Sequence, residues 1–266
     1  MATKLEEIVA AARRSVATSG SASHRRSLEA AAREHEPRGF RRALQAAGQN
    51  RPAIIAELKK ASPSKGLIRR DFPVAELAGD LTEAGAAALS VLTNEPYFQG
   101  SLENLEIASR ATTIPCLRKD FIVDTVQLLE ARAHRADAVL LIVAALSQQE
   151  LVDLDRAAHK LELDVLCEVH DETELWRALD AGCDLVGVNN RNLHTFKVDI
   201  QTSFELCPKI PPSIVKVAES GIETGDDIAR LRQAGFDAFL IGEPLMRAPR
   251  PGDALRGLLA HTAAAL

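Results

Sequence analysis

The stretch Ile54-Ile55-Ala56-Glu57-Leu58-Lys59-Lys60-Ala61-Ser62-Pro63-Ser64-Lys65-Gly66 settles the fold. Its first half predicts a buried strand, in which side chains alternate between faces. Ile54, Ala56 and Leu58 then share a wholly apolar face that needs a covering layer. Ile55, Glu57 and Lys59 share the other, which carries an acid and a base where the strand gives out. Ser62-Pro63-Ser64 and Gly66 break the run and open a loop. Charged groups facing inward at a strand's carboxyl end cost stability and serve chemistry. A surface Glu-Lys pair on a half-exposed strand is the alternative reading, and the rest of the chain decides between them.

Downstream of this stretch the pattern alternates strictly. Strands are expected at 53–59, 87–92, 114–119, 137–143, 164–168, 184–189, 214–219 and 238–241. Helices are expected between them, at 73–84, 101–110, 124–135, 147–161, 171–181, 199–207 and 224–234, followed by a broken segment at 244–264. Ser147-Gln-Gln-Glu150 and Asp171-Glu-Thr-Glu174 are capping-box patterns, and Gly85, Gly182 and Gly235 sit where helix C-caps belong. Segments such as Asp180-Ala-Gly-Cys-Asp184 and Gln233-Ala-Gly-Phe-Asp-Ala238 recur roughly every 50 residues, the length of two βα units, and such a period is a fold-level signal. Strict alternation implies parallel pairing. Eight strands that are apolar on both faces imply a (β/α)8 TIM barrel. A doubly wound open sheet is the rival, and the regular period argues against it.

Residues 1–50 read as an N-terminal helical extension packed on a barrel of residues 51–266, the whole forming a single domain. Leu5, Ile8, Val9, Ala12 and Val16 fall at helical spacing over 4–17. Thr18–Ser23 reads as a linker, Leu28–Arg33 as helix, and Pro37–Ala47 as a third helix carrying Phe40 and Leu44 on one face. About 50 residues are too few to bury a core alone.

The chain has 266 residues, of which 46% are hydrophobic and only 4% aromatic, with a net charge of −5. That length suits a barrel of about 250 residues, and its core must be built from Ala, Val, Leu and Ile. The mixed charge lacks the basic stripe of a nucleic-acid surface, and no apolar run reaches the ~18 residues of a membrane span. Cys116, Cys167, Cys183 and Cys207 show no metal-ligand spacing, so buried free thiols are expected, in keeping with a reducing cytoplasm. Met1–Ala12 mixes Lys4, Glu6 and Glu7 into its apolar positions, unlike a secretory leader.

A barrel gathers the carboxyl ends of its strands on one face, where active sites are built. The predicted strands leave there Glu57 and Lys59; Thr93 and a loop with Phe98; Lys119 and Asp120; Glu168 and His170; Asn189, Asn190 and Arg191; Glu219, Ser220 and Gly221; and Gly242 and Glu243. His170 reads as the start of a helix. Taken singly, Lys119 or Arg191 would be a solvated rim charge, but one geometric assumption accounts for all these positions. Glycine at two neighbouring strand ends lets backbone N–H groups approach an anion. Loops after the seventh and eighth strands, with a short helix such as Glu243-Pro-Leu-Met-Arg247, commonly hold phosphate.

These residues resemble the indole-3-glycerol-phosphate synthase family. The resemblance rests on the opening stretch together with Leu89–Ser101, Leu117-Arg-Lys-Asp-Phe-Ile122, Gly187-Val-Asn-Asn-Arg-Asn-Leu193, Val217-Ala-Glu-Ser-Gly-Ile222 and Leu240-Ile-Gly-Glu-Pro-Leu-Met-Arg247. It implies an N-terminal extension lying over the barrel mouth. It also implies closure of a pyrrole ring on a phosphorylated small-molecule substrate with loss of carbon dioxide and water. The resemblance makes Lys119 the acid for ring closure, with Lys59 and Glu168 as the second acid and the base. Glu57 would position Lys59, Glu219 would support the amine or hydroxyl side, and Asn189 would hold hydroxyls. Arg191 would anchor a carboxylate and Phe98 and Phe121 would wall the aromatic ring. Ser62, Ser220, Gly221, Gly242 and Glu243 would hold phosphate. Two lysines facing each other across a desolvated mouth are expected to lower each other's pKa. No metal or organic cofactor, no nucleic acid and no membrane is expected, and a cytoplasmic monomer is. An isomerase on the same barrel and a non-catalytic phosphate-binding barrel are the competing readings.

Overall fold

The computed structural model describes residues 3–18, 22–193 and 195–265. Three helices come first, α1 (Lys4–Thr18), α2 (Ala22–Ala31) and α3 (Phe40–Gly48), followed by strand β1 (Ala53–Leu58) and a small hairpin of β2 (Ala61–Ser62) and β3 (Gly66–Leu67). Next come α4 (Val74–Glu83), β4 (Ala88–Leu92), the short α5 (Glu95–Phe98), α6 (Leu102–Ala111), β5 (Cys116–Lys119), α7 (Thr125–Ala133) and β6 (Ala138–Ile142). Then follow α8 (Gln148–Lys160), β7 (Asp164–Val169), α9 (Glu172–Asp180), β8 (Leu185–Asn189) and α10 (Gln201–Leu206). The chain ends with β9 (Val215–Glu219), α11 (Gly225–Ala234), β10 (Ala238–Ile241), α12 (Glu243–Arg247) and α13 (Pro251–Ala265).

Strands β1 and β4 to β10 are all parallel and close into one ring, with β10 pairing back onto β1. The fold is therefore a TIM barrel. Each strand turns one set of side chains to the surrounding helices and the other to the barrel interior. In β1, Ile54, Ala56 and Leu58 join the outer layer, while Ala53 and Ile55 join the inner one. Capping explains several helix starts: Ser147 and Thr224 form reciprocal capping boxes, which satisfy donors that the first turn leaves unpaired.

The N-terminal helices do not all lie over the mouth. Only α1 does so, through Lys4, Leu5 and Ile8. Helix α3 closes the opposite end. Its Phe40 and Leu44 are fully buried against Ala53, Ala138, Leu185 and Val215, at the amino ends of the strands. It begins at Phe40 rather than Pro37, because Gly39 takes a left-handed conformation at its N-cap. Helix α2 packs on α7 through Leu28 and Leu129. Of the expected linker, Thr18 closes α1, Ala22 and Ser23 open α2, and residues 19–21 lie outside the described residues. The β2–β3 hairpin and α5 fall where the sequence reading placed plain loops.

One buried carboxylate ties this extension to the barrel. Asp137 Oδ1 lies 3.0 Å from His35 Nε2 and accepts from the backbone N–H of Arg38 at 2.7 Å. Its Oδ2 accepts from the Arg38 guanidinium at 2.6 Å and from the Cys116 N–H at 2.6 Å. Burial opposes ionisation, but His35 and Arg38 outweigh it and hold this carboxyl below the usual range.

Two cysteines depart from the expected free thiols. Cys167 and Cys183 are joined in a disulfide across α9, with Cα atoms 6.5 Å apart, within reach of a bridge. Cys116 and Cys207 are free and buried. The pairing escapes the sequence because it depends on how α9 returns the chain, not on local spacing.

Replacing Asp137 with Ala leaves Arg38 without its buried counter-charge and His35 without its hydrogen-bond partner. Such a break costs about 3–5 kcal/mol. Guanidinium unfolding should show that loss, and an unchanged midpoint would show that the latch is not needed.

Candidate active site

The inward positions near the carboxyl end of each strand decide what the mouth contains. Strand β1 carries Glu57 one residue before its end and is followed by Lys59; β5 ends in Lys119; β7 presents Glu168, β8 Asn189 and β9 Glu219. Register keeps these side chains level: Glu168 stands beside Gly187, and Asn189 beside Glu219. All of them line one cavity of about 870 Å³. Ser62, Phe98, Phe121, Arg191, Ser220, Gly221, Gly242 and Glu243 line it as well, so every site residue expected from the sequence meets there. Leu140, Ile142 and Leu240 add apolar wall that the sequence reading did not include.

The charges alternate in sign. Lys119 Nζ lies 3.1 Å from Glu168 Oε2 and 3.4 Å from Glu219 Oε2, while Lys59 Nζ lies 2.5 Å from Glu57 Oε1. This corrects the expectation that the two lysines lower each other's pKa. Burial pushes Lys119 down, but the carboxylates of Glu168, Glu219 and Glu57 outweigh it and hold the ammonium well above the ordinary lysine range. Burial pushes Glu168 up, but Lys119 and His170 reverse that and keep it below the ordinary carboxylate range. Glu219 is pushed up to about 8, by burial first and then by Glu168 and Glu57, against the pull of Lys119. Its Oε1 is buried without a hydrogen-bond partner among the described residues. Two neighbouring carboxyls of opposite protonation state are what an acid–base site needs.

Glycines make room for these carboxyls. A Cβ at Gly187 would collide with Glu219 Oε1, and one at Gly242 would collide with Glu57 Oε1. Gly187 was not singled out from the sequence, although a glycine inside a strand signals a close approach. At the next corner, Ser220 and Gly221 both take left-handed backbone, with φ of 65° and 74°. For Ser220 that conformation carries strain of the kind that clusters at functional sites. Glu243 opens α12, where its carboxylate meets Arg247 Nε at 2.9 Å and Lys65 Nζ at 3.7 Å.

The remaining residues frame the mouth. The Phe98 and Phe121 rings lie 6.3 Å apart, tilted by 36°. The Arg191 backbone N–H donates to Asn189 Oδ1 at 3.0 Å, and its guanidinium donates to the Phe196 carbonyl at 3.2 Å. Asp120 borders the cavity but is engaged: it accepts from Thr93 Oγ1 and Asn94 Nδ2 and pairs with Arg118, joining the loops after β4 and β5. Asn190 turns away to Ser203 and to the Ser220 carbonyl.

His170 corrects its sequence reading. Asp171, not His170, caps α9. The imidazole is nearly buried behind Glu168, with Nε2 3.3 Å from Glu168 Oε1 and Nδ1 3.0 Å from Glu174 Oε2. Among the described residues, Asp155, Cys167 and Cys183 form the one cluster with metal-ligand spacing. The two sulfurs there are bonded to each other, and none of the three residues lines the mouth.

Fold and site together define a TIM barrel whose mouth gathers lysine and carboxylate side chains at the carboxyl ends of its strands. The sequence profile of the family described as indole-3-glycerol phosphate synthase matches residues 5–258. The indole-3-glycerol phosphate synthase of Koribacter versatilis is 58% identical over 259 residues, covering 97% of this chain and 100% of that protein. That of Acinetobacter baumannii is 52% identical over 223 residues, covering 83% and 82%. Two solved structures share the fold at low identity. KGPDC from Streptococcus mutans has a TM-score of 0.62 and 14% identity over 80% of this chain and 98% of its own. Thiamine phosphate pyrophosphorylase from Pyrococcus furiosus has a TM-score of 0.60 and 17% identity over 81% and 96%. This chain belongs to the indole-3-glycerol phosphate synthase family, and is a carboxy-lyase of tryptophan biosynthesis.

Difference infrared spectra of wild type against Glu219→Gln test the state of the second carboxyl. A protonated carboxyl C=O band should be present at pH 7 and fade as pH rises through about 8. Its absence at pH 7 would show Glu219 to be ionised.

Proposed function

We propose that the cavity closes the pyrrole ring of 1-(2-carboxyphenylamino)-1-deoxyribulose 5-phosphate by acid–base steps carried out by the residues that line it. The observation that carries this is the placement of Lys119 between Glu168 and Glu219, in one cavity with the Lys59–Glu57 pair. The ring carbon that bears the carboxylate attacks the C2′ ketone, and the oxygen gains negative charge. Lys119 donates a proton to that oxygen. Carbon dioxide then leaves, and its bonding electrons return to the ring system. Loss of the new hydroxyl as water needs an acid for the oxygen and a base for the departing ring proton. Lys59, steered by Glu57, is the acid, and ionised Glu168 is the base. Glu219, largely protonated near neutral pH, supports the amine or hydroxyl side.

Binding follows the shape of the substrate. Phe98 and Phe121 wall the aromatic ring, Arg191 faces the carboxylate, and Asn189 holds hydroxyls of the open chain. Ser62, Ser220, Gly221, Gly242 and Glu243 form the phosphate end, the last three through backbone N–H groups. The Glu243 carboxylate is neutralised by Arg247 and Lys65, which lessens its repulsion of the phosphate. The proton transfers assigned here are all made by side chains of the cavity.

The same reading treats residues 1–50 as an extension of one domain with the barrel and the chain as a monomer. Its setting is the cytoplasm: the substrate is a small phosphorylated metabolite, and among the described residues no helix is long and apolar enough to cross a membrane. The Cys167–Cys183 bond removes two of the four thiols on which the reducing-compartment argument rested.

Supplying the substrate and following indole fluorescence tests the reaction. Lys119→Ala should lose about 10²–10⁴-fold in kcat, the range for a general acid, with its circular dichroism unchanged; near-normal kcat would reject the role. Glu168→Gln should lose most turnover yet still bind substrate, and unchanged kcat would remove Glu168 from the scheme.

A further inference from the structure

His170 stands outside the cavity and directly behind one of its carboxylates. The side chain is 10% exposed and does not line the mouth. Its two nitrogens face two acids: Nδ1 is 3.0 Å from Glu174 Oε2, and Nε2 is 3.3 Å from Glu168 Oε1. Glu174 Oε2 also accepts from the His170 backbone N–H at 2.8 Å. Glu174 is held in turn by α9, where its own N–H donates to Asp171. The ring therefore has little freedom to turn. Nε2 makes no hydrogen bond among the described residues, and the carboxylate it faces is that of Glu168, an ion-pair contact at 3.3 Å.

The arrangement breaks a near-symmetry. Lys119 Nζ lies at similar distances from Glu168 and Glu219, 3.1 and 3.4 Å, and donates a hydrogen bond to the first, so its charge favours Glu168 only slightly. His170 contacts Glu168 only. We propose that His170, clamped by Glu174, is a positioning residue that fixes Glu168 as the ionised member of its pair with Glu219 and leaves the shared proton on Glu219. The titratable and charged groups around the imidazole are Glu168 on β7 and Glu174 on α9, with Lys119 on β5, Glu219 on β9 and Glu57 on β1 beyond Glu168. Burial pushes the imidazole down, but Glu168 and Glu174 outweigh it and raise it to about 10, so it is a cation across the neutral range. A cation beside one of two neighbouring carboxyls biases which of them keeps the proton.

The inference rests on Glu168 acting as the base, and its test separates the two claims. The sign follows from the pair. Below about pH 8 the pair holds one proton. Without the imidazolium that proton spends time on Glu168, and the base is lost for that fraction of molecules. Above that pH the proton leaves and Glu168 is ionised with or without His170. The kcat of His170→Gln relative to wild type should therefore be about tenfold low at pH 6–7, by the size of one such charge contact. The deficit should shrink as pH passes 8.5, with KM within twofold because the side chain does not face substrate. Glu174→Gln keeps the ring and loosens it, and should give a smaller deficit with the same pH course; it serves equally if His170→Gln folds poorly. A deficit of constant size at every pH, a change in KM in place of kcat, or full activity in both variants would overturn the proposal while Glu168→Gln remains inactive. An active Glu168→Gln would instead remove the base itself, and this inference with it.

Discussion

The ammonium of Lys119 is held between two carboxyl groups in a space where water is scarce. A lone ion in such a place costs several kcal/mol in lost hydration. The barrel meets that cost by alternating signs: Lys59 against Glu57, Lys119 against Glu168 and Glu219, His170 against Glu168 and Glu174. Every member but Glu174, which α9 supplies, comes from the carboxyl end of a strand or from the first residue beyond it. The site consequently inherits the rigidity of the ring, and no side chain in it has to be held by a mobile loop alone. The lysine is not made acidic by lowering its affinity for protons. Its neighbours keep it charged until substrate arrives and the developing alkoxide competes for its proton.

That network requires a closed ring with a firm floor and room at the top. Phe40 and Leu44 from α3 fill the floor, and Asp137 ties the preceding segment to the strand ends through His35 and Arg38. At the top, Gly187 and Gly242 leave the volume that Glu219 and Glu57 occupy. Stability is thus concentrated at the amino ends of the strands and chemistry at the carboxyl ends, a division general to this fold.

Much of this was legible in the chain. Alternation of Ile54, Ala56 and Leu58 with Ile55, Glu57 and Lys59 marks the two faces of β1, and strand-end polarity together with the family resemblance points to fourteen of the residues that line the cavity. What escaped depends on distances through space. His170 looks like a helix start because its partners, Glu168 and Glu174, lie on either side of a turn whose shape decides whether they meet. The joining of Cys167 to Cys183 depends on how α9 returns the chain. The raised Lys119 was misjudged for a related reason: the sequence shows two lysines in one mouth but not which carboxylates stand between them. The Phe40–Leu44 face was visible as apolar, yet nothing local says that it closes the bottom of the barrel and not the top.

The charge state of Lys119 in the resting protein bears on all of these features. Nitrogen-15 spectra of labelled lysine side chains, assigned by comparison with Lys119→Arg, report whether the nitrogen is ammonium or amine. The account expects ammonium to persist beyond pH 10.5, the ordinary lysine midpoint. A Lys119 that becomes neutral amine near pH 7 or 8 would contradict it, because the carboxyl groups of Glu168 and Glu219 would then not be holding its charge.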